Sequence, residues 1–201
     1  MNHKVNNVQE LYSDAYSLYN MVVLDKADTI INNLDGAVSV LKQNWKGMDA
    51  GVQIQDVIEV HNAFVVLRNA LAQLAKDSSS VAINYRQIQI INRANAEELS
   101  QIEINTKSLL DAYMDNRDTV DITPEANDGK AKIDVAKDLI NEFVSQVKNY
   151  YSRIMDNWTI GTGRNNAEEA FVDFLSKSNK YIETLNNVSG SIASALSNYS
   201  F

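Results

Sequence analysis

His3 and His61 are the only histidines in the chain, and cysteine is absent. Neither histidine stands in an H-E-x-x-H spacing, so no zinc site is written in the sequence. His61 follows Val60 beside an apolar stripe and reads as a structural residue. The stretch "GTGRNN" (161–166) carries two glycines of a dinucleotide loop. It lacks the preceding strand pattern and the third glycine, and reads as a turn. Asp and Glu are scattered over helix faces, where they keep a long helical surface soluble. No nucleophile, base and orienting group fall together. The expectation is a protein that is not an enzyme, with no catalytic residue, metal, cofactor or small-molecule substrate.

Composition narrows the class further. Hydrophobic residues make up 45% of 201, enough for a core, while seven glycines and one proline are too few for a strand-and-turn protein. The formal charge of -8 opposes nucleic acid, whose phosphates demand clustered Lys and Arg. It equally opposes a basic helix lying on a membrane surface. The N-terminal stretch has neither the continuous apolar run nor the cleavage site of a signal peptide, and no run reaches the ~18 apolar residues of a membrane span. The chain is therefore expected to stay in the cytoplasm or to leave by a route needing no cleaved signal.

Periodicity supplies the elements. Alternating steps of three and four land on Val57, Val60, Phe64, Leu67, Leu71, Leu74, Ser78, Val81, Tyr85 and Ile88. The same register meets Asn92 and Asn95, then resumes at Leu99, Ile102, Thr106, Leu109 and Tyr113. Such a seven-residue repeat marks helices packing at a shallow angle. Unbroken, this helix would be about 95 Å long, with the two asparagines as the place for a bend. Val23, Ala27, Ile30, Leu34, Ala37 and Leu41 form a stripe leading to Trp45. Ile133, Ala136, Ile140, Phe143, Val147, Tyr150 and Ile154 form another leading to Trp158. The last stripe is Ala167, Phe171, Phe174, Ser178, Tyr181, Leu185, Val188, Ile192, Ala195 and Tyr199, with Asn166 as its expected N-cap and Glu169 at the third position. The polar stretch 117–129, holding the only proline, reads as a linker.

These stripes predict an all-α protein of four main helices, close to 5–43, 50–115, 125–157 and 165–200. Displacing the chain by 114 positions lays Gly47 on Gly161, Val57 on Phe171, Leu71 on Leu185 and Tyr85 on Tyr199. Heptads alone account for much of this agreement, but not for a tryptophan followed by glycine at each break. The architecture expected is two tandem long helix-turn-helix hairpins with four-helix-bundle or coiled-coil packing. A first hairpin spans 1–92, a helical extension and polar linker 93–129, and a second, degenerate hairpin 130–201. The seam residues Val57, Val60, Phe64, Leu67, Leu71, Leu74, Phe171, Phe174, Leu185 and Val188 are the expected helix–helix interface, with Phe64 and Leu71 facing Phe171 and Leu185. Gly47 suits the positive φ of a helix terminus, and Trp45 can fold over the turn and bury its indole.

The sequence "WKG" at 45–47, in the turn of a helical hairpin of an acidic, cysteine-free chain, resembles the WXG family of early secreted antigenic target-like proteins. The resemblance covers about 1–90 and 118–201 and depicts two such units fused. It implies antiparallel four-helix pairing and export by type VII secretion, through a membrane ATPase of the FtsK/SpoIIIE type that reads the Trp-Gly turns (Trp45, Gly47, Trp158, Gly161). The partner it implies is the chain's own second hairpin or another WXG-like or effector helical protein. The second turn reads Trp158-Thr159-Ile160-Gly161 rather than W-x-G. The family's export signal pairs a tyrosine with a carboxylate four residues on; Tyr85 has Gln89 there, and Tyr199 has nothing. That departure implies a helical partner or adaptor for a co-secreted effector as readily as an independent substrate. Other classes are a cytoplasmic structural coiled-coil scaffold and a helical membrane-active toxin component, the latter opposed by the absence of a bilayer-length apolar run.

Overall fold

Apolar stripes every three to four residues need helical partners to bury them, and helices packed against one another make up the protein. The computed structural model describes residues 4–85, 90–159 and 162–198, the side chains of 90–92, 162 and 163 excepted. The fold is all-α. In order it comprises α1 (Val8–Ser17), a π-helical stretch (Leu18–Ala27), α2 (Asp28–Asn44), the two-residue β1 (Trp45–Lys46), α3 (Met48–Ile83), α4 (Ile90–Gln101), β2 (Asp121–Ile122), α5 (Ala126–Asn157) and α6 (Thr162–Asn198).

Two compact units are present, each assembled from three stretches. One gathers Met1–Asp28, Val66–Lys107 and Glu142–Leu175; the other gathers Thr29–Val65, Ser108–Asn141 and Ser176–Phe201. Each unit therefore draws on both halves of the sequence. In the first, Arg153 pairs with Asp14 at 2.8 Å and Lys26 with Glu142 at 2.9 Å, while Phe143 meets Phe174 edge-on. In the second, a Cβ at Gly36 would lie 3.2 Å from the Lys132 side chain, so α2 and α5 run in close contact. Phe64 and Leu185 belong to the second unit, Leu71 and Phe171 to the first, and all four are buried.

The stripes become core. Val23, Ala27, Ile30, Leu34, Ala37 and Leu41 are fully buried, as are Ile133, Ala136, Ile140, Phe143, Val147 and Ile154. The six seam residues from Val57 to Leu74 and the four on α6 from Phe171 to Val188 are buried too. One aromatic is displaced. Tyr150 is only half-buried, and its neighbour Tyr151 turns inward against Phe171, ring centroids 4.2 Å apart.

Three expectations fail. The helix from 50 to 115 does not exist as one rod: α3 ends at Ile83, and α4 is a separate helix packed on α1. Asn95 lies inside α4 and makes no bend, and Asn92 is also within that helix. The helical extension beyond residue 93 stops at Gln101, and 102–120 has no regular secondary structure. Its bonds come from α3 side chains rather than from its own backbone. Finally, α6 begins at Thr162, so Asn166 is helical and no N-cap. The early start is held by Arg164, which donates to the Trp158 carbonyl at 3.0 Å and pairs with Glu168 one turn on.

Candidate functional site

Two Trp turns and one strap are the places where the helices yield to something else. In the first turn, β1 pairs antiparallel with β2, Trp45 opposite Ile122. The Thr123 N–H donates to the Asn44 carbonyl at 2.9 Å, and its hydroxyl to the Asn44 side chain at 3.0 Å. In the second, Trp158 bridges antiparallel to Val5, and the Asn6 N–H donates to the Asn157 carbonyl at 2.9 Å. The two are one motif. An Asn-Trp pair leaves a helix, and a β-branched residue three or four positions ahead of another helix lies against the tryptophan. Each turn is held by the lead-in to the first helix of the opposite sequence half: Ile122 precedes α5, and Val5 precedes α1. The stretch 117–129, expected as a linker, is thus partly a clamp on the first turn.

Both indoles are buried, Trp45 at 4% exposure and Trp158 at 2%. Gly47 has φ +115°, and a Cβ there would stand 2.8 Å from the Thr119 carbonyl oxygen. Only glycine fits without strain. Beside Trp45, Met48 and Val52 are more than half exposed, and an open, mostly polar cavity of about 780 Å³ runs past Asp49, Val52 and Val120 to Asn186, Gly190 and Ser194 on α6. Tyr85 is half-buried just past the end of α3. Gly161 and Tyr199 lie outside the described residues, so the glycine half of the second motif and the C-terminal tyrosine receive no structural account.

Asp115 closes the N-terminus of α3. Its carboxylate accepts the Gly47 N–H at 3.2 Å, and the Arg117 carbonyl accepts from Met48 at 3.0 Å. These are two of the N–H groups that a helix start leaves without intrahelical partners. The Arg117 guanidinium donates to both carboxylate oxygens, at 2.9 and 2.7 Å. Hydrogen bonding from Arg117, then from the Gly47 and Arg117 backbone N–H groups, holds the Asp115 carboxyl well below the usual carboxylate range against its partial desolvation. A depressed folded-state value means stability that is present above the unfolded-state pKa, near 4, and is lost as pH falls below it. Burial raises Asp14, Asp56 and Asp77, which act in the opposite sense. The informative measurement is therefore a difference: between pH 5.5 and 3, the native protein should lose more melting temperature than Asp115→Asn.

Residues 102–120 form a strap along α3, running antiparallel to it. Asn69 Nδ2 donates to the Lys107 carbonyl while its Oδ1 accepts the Lys107 N–H, both at 3.1 Å. Asn62 does the same for Leu110, at 2.9 and 2.8 Å. Gln55 Oε1 accepts the Tyr113 N–H at 2.9 Å, and Lys76 donates to the Ile102 carbonyl at 2.8 Å. The helix residues stand seven apart. Seven helical residues rise about 10.5 Å, and three residues of nearly extended chain cover the same distance. From Gln55 to Asn69 the match is geometric, every second helical turn meeting every third strap residue; Lys76 leaves the step and meets Ile102, five residues from Lys107.

His61 serves this track. Asn62 Oδ1, an acceptor only, lies 2.9 Å from His61 Nδ1, so that ring nitrogen carries the proton and fixes the amide. Arg68, 3% exposed, grips Asp28 at 2.8 Å and donates to the Asn105 carbonyl at 2.8 Å. At Gly51 a Cβ would sit 2.7 Å from the Asp115 N–H, so the strap approaches α3 as closely as a glycine allows. None of Gln55, Asn62, Asn69, Arg68 and Asp115 stands out in the sequence by type. The available signal was long polar residues at every seventh position, 55, 62, 69 and 76, two places ahead of the seam.

Among the described residues no cluster of three or more His, Cys, Asp or Glu is placed to hold a metal, and no helix is long and apolar enough to cross a membrane. What the geometry offers is two exposed apolar side chains beside Trp45, Met48 and Val52, and an α3 track whose amides bond the main chain of the strap. No protein-family model matches the chain, and neither a curated protein nor a solved structure is detectably similar to it.

Proposed function

We propose that the protein is a non-enzymatic, self-paired helical-hairpin protein of the WXG kind, acting in type VII secretion as a substrate or as the helical adaptor of a co-secreted effector. The observation that carries this reading is the duplicated Asn-Trp turn, each copy paired with the lead-in of the opposite half. A fused pair of hairpins, each closing the other's turn, is what an obligate partnership becomes when joined in one chain. Its remaining partners are then the secretion ATPase of the FtsK/SpoIIIE type and an effector helix, and its destination is outside the cell without a cleaved signal.

The buried indoles refine the reading. Trp45 and Trp158 set the shape of the turns, and the secretion machinery reads the surface outside them: Met48, Val52 and Val120, all exposed beside Trp45. Export is therefore best tested with surface variants. In a host carrying the system, Met48→Ser/Val52→Ser should keep its melting temperature and lose most of its appearance in the culture supernatant. The native protein should likewise be retained in cells lacking the ATPase. Unchanged export in the ATPase-deficient strain, or equal export of a folded double-serine variant, would defeat the respective part of the proposal.

A further inference from the structure

We infer that the α3 track of Gln55, Asn62 and Asn69 is a receptor for extended polypeptide, occupied in this state by the protein's own strap, and that an extended segment of a partner protein binds there by displacing it. The inference stands apart from the secretion reading, since it uses neither Trp turn.

Three observations carry it. First, Asn62 and Asn69 each bond both the N–H and the carbonyl of one strap residue, so recognition is of main chain and is indifferent to most side chains. Second, the side-chain demand falls on a three-residue period: Ile104, Lys107, Leu110 and Tyr113 are half-buried, and the residues between them are exposed. Third, no side chain from 102 to 114 is fully buried. Lifting the strap uncovers the flank of α3 without opening the seam, whose residues lie elsewhere on the helix. A β-sheet edge offers an incoming chain similar main-chain bonding, but here rigid helical side chains supply it.

The occupant is accordingly an extended segment running antiparallel to α3, with an apolar or long side chain at every third residue. Each hydrogen bond it forms replaces one made by the strap, so the exchange turns on those period-three side chains and on the advantage the tethered strap holds through its effective concentration. Arg68, holding Asp28 and the Asn105 carbonyl, and Asp115, capping α3, hold the two ends of the strap.

The test is a labelled peptide with the sequence of residues 102–117, titrated by fluorescence anisotropy into the full chain. In the native protein the tethered strap competes. Ile104→Ser/Leu110→Ser weakens the strap only, and should bind the peptide about tenfold or more tightly than native. Adding Asn62→Leu/Asn69→Leu to that variant should abolish binding, with helical circular dichroism unchanged. No binding to the strap-weakened protein, or binding that survives the leucines, overturns the inference. A concentration-dependent native dimer that the leucines dissolve would overturn the partner-segment assignment in favour of strap exchange between copies.

Discussion

Replacing Trp158 or Trp45 with alanine is expected to destabilise the protein by about 3–5 kcal/mol in each case, the range of a buried aromatic truncation. Both indoles are almost wholly removed from water, and each sits where two helices end and no further helical side chain can fill the space. The backbone bridges to Ile122 and Val5 survive the truncation, so the turn keeps its path and the indole volume becomes a cavity. Against a total stability of roughly 5–15 kcal/mol, either variant forfeits a large share. Urea unfolding monitored at 222 nm reads this directly. Trp→Phe at each position should recover most of the loss, because the ring fills most of the same site. A loss below about 1 kcal/mol for Trp158→Ala would show that the turn collapses onto the space, against the clamped geometry described above.

The second large effect is local. In Asn62→Leu/Asn69→Leu, each substitution removes two hydrogen bonds to one strap residue, worth about 2–3 kcal/mol per residue. The strap groups released are half-exposed and pass to water, so the cost is local opening rather than collapse. Amide exchange at Lys107 and Leu110 should quicken roughly 30- to 100-fold, with little change in the helical amides. Arg68 and the Asp115–Arg117 pair still hold the strap's ends, which keeps the opening between them. Equal quickening throughout α3 would instead make the amides part of the global fold.

His61 illustrates how position outranks residue type. The sequence marks it as a structural residue beside the seam, and its contact is with the amide of its own neighbour Asn62. Its importance is inherited from the strap. His61→Phe, which keeps the ring volume and removes the hydrogen bond, should therefore quicken Leu110 exchange and leave Lys107 unaffected.

By itself the sequence determined the helices and the faces they bury. Apolar residues at 3.6-residue spacing can satisfy backbone and side chains only in one way, and the stripes from Val23 to Leu41, from Val57 to Val81 and from Ile133 to Ile154 lie in the core but for Tyr150. On α6, Ser178, Tyr181 and Ala195 are only half-buried. The break at Trp45 was legible because a positive-φ glycine and a helix-ending aromatic are local signals, and the break at Trp158 through its aromatic. The strap was decided by tertiary structure alone. Ile102, Thr106, Leu109 and Tyr113 follow the helical step of three or four, while the extended chain has a period of three, and a short stretch does not separate the two. The half-buried residues are instead Ile104, Lys107, Leu110 and Tyr113 beside Ile102. Helix 102–113 would have left the flank of α3, with its amides every seventh residue, to water. Extended, the same chain takes those amides as its hydrogen-bond partners, and a seven-residue polar repeat does not by itself say that its partner is the backbone of a segment 38 to 58 residues away.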